Sequence, residues 1–102
     1  MKRMQVLTVI LGVILSAGSQ AASPYVGQVK AGEVCAQCHG LKMPAAGSPF
    51  PALAGRDANY LKTALKQYRD KTRINEIMNN VAGSLTDNDI NDIISYYSSV
   101  KP

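Results

Sequence analysis

The chain has 102 residues, room for one small domain. Apolar residues make up 46% and charged residues 18%, which excludes a disordered chain, and two cysteines exclude a disulfide-dense scaffold. Eleven basic against seven acidic residues leave a formal charge of +4, a modest excess that sits partly in the first segment.

That segment reads as an address. Lys2 and Arg3 precede the apolar run Val6 to Ala17, and the small residues Gly18, Ser19, Ala21 and Ala22 follow. A charged start, a short apolar middle and a small-residue exit are the parts of a secretory signal peptide. The run is too short for a bilayer, which takes about 20 residues to cross. No cysteine follows the small residues, so no lipid attachment is expected there. Cleavage after Ala21 makes residues 1–21 an export signal and residues 22–102 the folded domain, with no stable membrane insertion. A domain of that size buries a modest core and often leans on a staple, a metal or a cofactor. Its expected destination, the periplasm, is oxidising, so two nearby thiols are not expected to stay free.

Tyr25 to Val34 carries apolar groups at Tyr25, Val26, Val29 and Val34, an irregular helical pattern. Gly27 and Gly32 cost helix propensity, but their missing side chains let another helix approach closely. Next comes Cys35-Ala36-Gln37-Cys38-His39, the C-x-x-C-H attachment signature of a c-type haem. Two residues between the thiols let both reach the vinyl groups of one porphyrin and form thioethers. His39, the only histidine, is then held beneath the iron as an axial ligand. Three other readings compete. A thioredoxin-like pair follows a strand in a βαβ setting, and no strand period is present. A zinc site takes four ligands, and no further Cys or His remains. A plain disulfide leaves His39 unexplained. One covalently bound haem c accounts for all three residues.

Gly40 to Gly55 contains Pro44, Pro49 and Pro51 with three glycines, so it reads as a loop. Asp57 is placed to cap a helix from Ala58 to Asp70, whose Leu61, Ala64, Leu65 and Tyr68 repeat at i, i+3, i+4, i+7. If that helix persists, Lys62, Lys66, Arg69 and Arg73 form a basic stripe, set against Asp87, Asp89 and Asp92. A short helix around Asn75 to Val81 carries Met78. The last helix starts at Thr86, with Asp89 three residues later and Leu85 and Ile90 as a hydrophobic staple. Ile90, Ile93, Ile94 and Tyr97 form its apolar face. The fold class is all-α.

An electron carrier commonly uses a methionine sulfur as the second axial ligand. Met43 lies four residues from His39, too close for the chain to wrap around the porphyrin edge. Met78 lies 39 residues downstream, with a helix and loops between, and is the expected ligand. Met43 reads as an ordinary apolar side chain.

Taken together, the chain resembles a class I c-type cytochrome of the small bacterial mono-haem kind, like a single cytochrome c4 or c553 domain. The resemblance rests on Cys35 to Gly40, Phe50-Pro51-Ala52-Leu53-Ala54-Gly55, Tyr60-Leu61, Met78, Val81-Ala82, Leu85 to Ile90 and Tyr96-Tyr97. It implies the class I cytochrome c fold, with helices packed around one covalently attached haem. It implies thioether links at Cys35 and Cys38, and iron ligation by His39 and Met78. It implies that the Pro51 carbonyl accepts a hydrogen bond from the imidazole, that Leu53 packs on the porphyrin, and that Gly27 meets Tyr97. Leu41 to Ser48 departs from the more glycine-rich spacing of many relatives.

A haem iron with His and Met ligands has no open position, so the expected function is electron transfer in a respiratory or related chain, not catalysis. Redox proteins are the expected partners, docking near the basic stripe; nucleic acid is not expected. One alternative is an electron-accepting haem subunit of a larger, for example flavin-dependent, dehydrogenase. Another is a peroxidase or gas-binding protein, which requires a vacant iron position.

Overall fold

The computed structural model describes residues 12 and 21–102, and the expected export signal therefore lies almost wholly outside the described residues. Five helices follow in order: α1 (Pro24–Val34), α2 (Ala36–His39), α3 (Ala58–Asp70), α4 (Glu76–Gly83) and α5 (Asp87–Ser99). No strand occurs among the described residues, as the all-α reading requires.

The helix starts are set by short polar side chains that accept from otherwise orphaned N–H groups. Ser23 caps α1 by accepting from Val26, and Asp57 caps α3 by accepting from Tyr60. Asn75 caps α4 by accepting from Met78. Thr86 and Asp89 form a reciprocal capping box at α5, with bonds of 3.1 and 3.0 Å. Leu85 and Ile90, on either side of that cap, are both buried in the core.

The core gathers around α5, whose Ile90, Ile93, Ile94, Tyr96 and Tyr97 are buried against Ala31, Leu61 and Leu85. Helix α1 crosses α5, and here the expected face needs correction. Tyr25, Val26 and Val29 are exposed, Tyr25 at 83%, while the buried residues of α1 are Gly27 and Ala31. Close backbone approach, not bulky apolar surface, joins the two helices. A side chain at Gly27 would collide with the Asp92 carbonyl and the Tyr96 Cβ, so the close contact expected here between the first and last helices is made, with Asp92 and Tyr96 nearest to the glycine. Gly32 faces open space and admits no helix. The N–H of Ser23 donates to Asp92 Oδ1 at 2.8 Å and ties the start of α1 to the same helix.

The basic stripe is cut short: Lys62, Lys66 and Arg69 share α3, and Arg73 does not. Helix α3 stops at Asp70 and the chain turns through Lys71 at φ 63°, so Arg73 leaves the helical register. Arg69 pairs with Asp87 at 2.8 Å, and Arg73 lies over the Tyr68 ring at 5.4 Å. Asp89 is spent in the capping box and Asp92 on Ser23, so the acidic residues do not make an opposing face. The split was read as surface charge because neighbours on α5 and α1 are invisible along one helix.

Candidate functional site

Cys35 both ends α1 and begins α2, with its N–H donating to Ala31 and its carbonyl accepting from His39. This single turn places both thiols and the imidazole side by side. At Gly40 the chain leaves with φ 69°, and a Cβ there would strike the Met43 carbonyl, so only glycine fits. The loop after it is held to α5. Tyr97 donates its hydroxyl hydrogen to the Gly40 carbonyl at 2.7 Å, and Tyr96 donates to Leu41 at 3.1 Å. Further along, the Gly55 N–H donates to the Tyr97 carbonyl at 2.8 Å.

This loop returns Pro51 to the imidazole. His39 is buried, 8% exposed, and its Nδ1 lies 2.6 Å from the Pro51 carbonyl oxygen. A carbonyl only accepts, so Nδ1 carries the hydrogen and Nε2 of the neutral ring presents a lone pair. The Phe50 ring meets the imidazole edge-on at 6.1 Å. The Cys35 thiol is also buried, and that burial pushes its pKa up to about 11. Before haem attachment it stays protonated at neutral pH, unlike the low-pKa thiolate of a reactive redox cysteine.

A cavity of about 410 Å³ opens on these groups. It falls in the range of about 300–1,000 Å³ usual for cofactor pockets and has a predominantly apolar lining. Every predicted site residue lines it: Cys35, Cys38, His39, Pro51, Leu53 and Met78. Met43 does not, and is 59% exposed. Of the four basic residues, only Arg73 reaches the lining. The donor set suits a haem. Two thiols answer two vinyl groups, an imidazole with a free Nε2 lone pair and a thioether answer an iron, and apolar walls answer a porphyrin.

Sequence reasoning overlooked Arg56, Tyr60 and Tyr68 as lining residues and misplaced Arg73 on a surface stripe. Arg56 lies over the Tyr60 ring at 5.5 Å, with its Nε donating to Ala52 at 2.7 Å. Two guanidiniums thus stand at the cavity, where they suit ligand carboxylates such as haem propionates. Arg56 precedes the Asp57 cap of α3, so no helical period marks it in the sequence.

The chain matches the family described as cytochrome c over residues 27–101. It is 37% identical over 87 residues to cytochrome c4 of Thiocapsa roseopersicina, aligning 80% of this chain with 45% of that protein. It is 40% identical over 80 residues to cytochrome c-554(548) of Halomonas halodenitrificans, aligning 72% of this chain with 96% of that protein. It is 33% identical over 69 residues to the thiosulfate dehydrogenase electron acceptor of Stutzerimonas stutzeri, covering 65% of this chain and 32% of the relative. The chain thus spans less than half of that cytochrome c4 and nearly all of the c-554(548) protein.

Proposed function

The chain belongs to the cytochrome c family, and from that premise we propose that it shuttles single electrons between periplasmic redox partners, with His39 and Met78 as its two iron ligands. It is a haem c electron-transfer protein, with Cys35, Cys38 and His39 in the C-x-x-C-H arrangement of covalent attachment. Bound haem supplies the one-electron chemistry, between Fe(II) and Fe(III).

The observation that carries the ligand assignment is the meeting of His39 and Met78 on one cavity although 39 residues separate them. The Nδ1–H bond to Pro51 orients the imidazole and makes Nε2 a stronger donor. The Met78 thioether, as iron ligand, would favour the reduced state and raise the potential. Cys35 and Cys38 would bond the porphyrin, and the apolar Leu53, Leu61 and Ile94 of the cavity lining would keep water from it. Arg56 and Arg73 at the cavity would offset the haem carboxylates.

Residues 1–21 supply the export signal and 22–102 the mono-haem domain. No helix among the described residues is long and apolar enough to cross a membrane. Lys62 and Lys66 remain to steer an acidic partner surface, since Arg69 and Arg73 are engaged.

A second reading, electron acceptor within a dehydrogenase complex, draws support from relatives in Stutzerimonas stutzeri and Thiomonas intermedia that are named for that role. Isolation of the native protein with a stoichiometric second polypeptide would favour it over a free shuttle. The ligand assignment is tested by Met78→Ala. The ferric wild type should show the weak far-red methionine–iron charge-transfer band, and the variant should lose it and bind carbon monoxide when reduced. Survival of the band in the variant would reject Met78, and tight carbon monoxide binding by the wild type would favour a gas-binding or peroxidase role.

A further inference from the structure

Met78 lies on a segment whose backbone is gathered by one neighbouring side chain. Asn79 uses both hydrogens of its amide, donating from Nδ2 to the Tyr68 carbonyl at 2.8 Å and to the Arg73 carbonyl at 2.9 Å. Its Oδ1 accepts from the Asn75 N–H at 3.0 Å. Those partners are the last turn of α3, the reversing loop and the N-cap of α4. One amide therefore joins the three pieces of backbone that decide where α4 lies. Tyr68 also belongs to the last four residues of α3, whose carbonyls have no partner within the helix.

The pattern of two donors and one acceptor is specific to a primary amide. Aspartate would set its oxygens against two carbonyl oxygens, and serine offers a single donor. Successive residues on a helix diverge by about 100°, so Asn79 grips α3 while Met78 lines the cavity. The same network reaches the backbone of Met78, whose N–H donates to Asn75 Oδ1 at 3.0 Å. We propose that Asn79 is a positioning residue for Met78. Its amide fixes the rotation of α4 against α3 and so holds the Met78 thioether on the haem iron. The proposal rests on the reading of Met78 as an axial ligand.

The test compares holoproteins carrying Asn79→Ala, Asn79→Ser and Met78→Ala, with Thr86→Ala as a control that weakens the cap of a different helix. Two signals are read: the far-red charge-transfer band of the ferric protein, and the rate of carbon monoxide binding to the ferrous protein. The wild type shows the band and Met78→Ala lacks it. Asn79→Ala is expected to lose about half of the band or more and to bind carbon monoxide about tenfold faster, as the detached fraction grows. Asn79→Ser falls between, and carries the comparison alone if Asn79→Ala does not mature. Thr86→Ala lowers the denaturation midpoint but keeps both signals at wild-type values. A wild-type band and wild-type carbon monoxide kinetics in the Asn79 variants overturn the positioning role and leave Met78 as ligand. Equal losses in Thr86→Ala also overturn it, because Asn79 would then act only through general stability. A band absent from the wild type and unaltered by Met78→Ala overturns the ligand reading, and the proposal with it.

Discussion

Tyr97 is almost wholly buried, 1% exposed, and its hydroxyl is committed to the Gly40 carbonyl directly after His39. Burial pushes its ionisation above the ordinary tyrosine range. A folded-state pKa raised in this way means that the neutral phenol stabilises the fold. That contribution is present below the ordinary tyrosine pKa and is lost as pH rises through the folded value. Tyr97→Phe should cost about 1 kcal/mol, the net worth of a hydrogen bond to a half-buried carbonyl. Urea denaturation at neutral pH measures that cost, and repetition at alkaline pH should show a shallower decline for the variant. The C-x-x-C-H run was fully legible because its chemistry is local: three side chains on one turn, needing nothing from the rest of the chain. Pro51 and Leu53 were legible only through resemblance, since a carbonyl acceptor and an aliphatic wall leave no mark on a sequence.

Helix boundaries were legible for the same reason of locality. Asp57, Asn75 and Thr86 each cap within three residues of themselves, and α3, α4 and α5 begin directly after them. Helix α2 went unforeseen because its four residues are too few to show a period. The end of α3 at Asp70 was legible too, but the reversal after it was not, because Lys71 adopts a left-handed conformation that favours glycine and no glycine stands there. Its N–H still donates to Gln67 and Tyr68, so the reversal is held by bonds that a lysine side chain does not announce. Lys71→Gly relieves the steric cost of that conformation while adding freedom to the unfolded chain. The net gain should be about 0.5–1 kcal/mol, read as a higher denaturant midpoint with an unchanged haem spectrum.

At the scale of the molecule, the site is assembled from distant segments: the α1–α2 turn, the loop bearing Pro51, α3, and α4 with Met78, closed by α5. The crossing of α1 and α5 supports this assembly and depends on Gly27. Gly27→Ala drives a methyl group into the Asp92 carbonyl and should cost about 2–3 kcal/mol, at the upper end of overpacking penalties. Chemical denaturation of the holoprotein measures that loss, while Gly32→Ala, facing open space, should be neutral or slightly stabilising. Amphipathic period identified the buried face of α5 and the cavity-lining face of α3 correctly and failed on α1. There the contact surface is glycine and alanine, which carry little hydrophobic signal. By itself, the sequence determined the covalent and local features: the haem attachment turn, the caps at Asp57 and Thr86, the all-α class and a single distant methionine as candidate ligand. Only the tertiary structure decided that Gly27 meets Asp92, that Arg69 is neutralised by Asp87, that Arg56 and Arg73 stand at the cavity, and that Asn79 fastens α4 to α3. Each of these depends on backbone groups or side chains brought together from separate helices. One-dimensional periodicity records which face of a helix is apolar, but not what the fold sets against it.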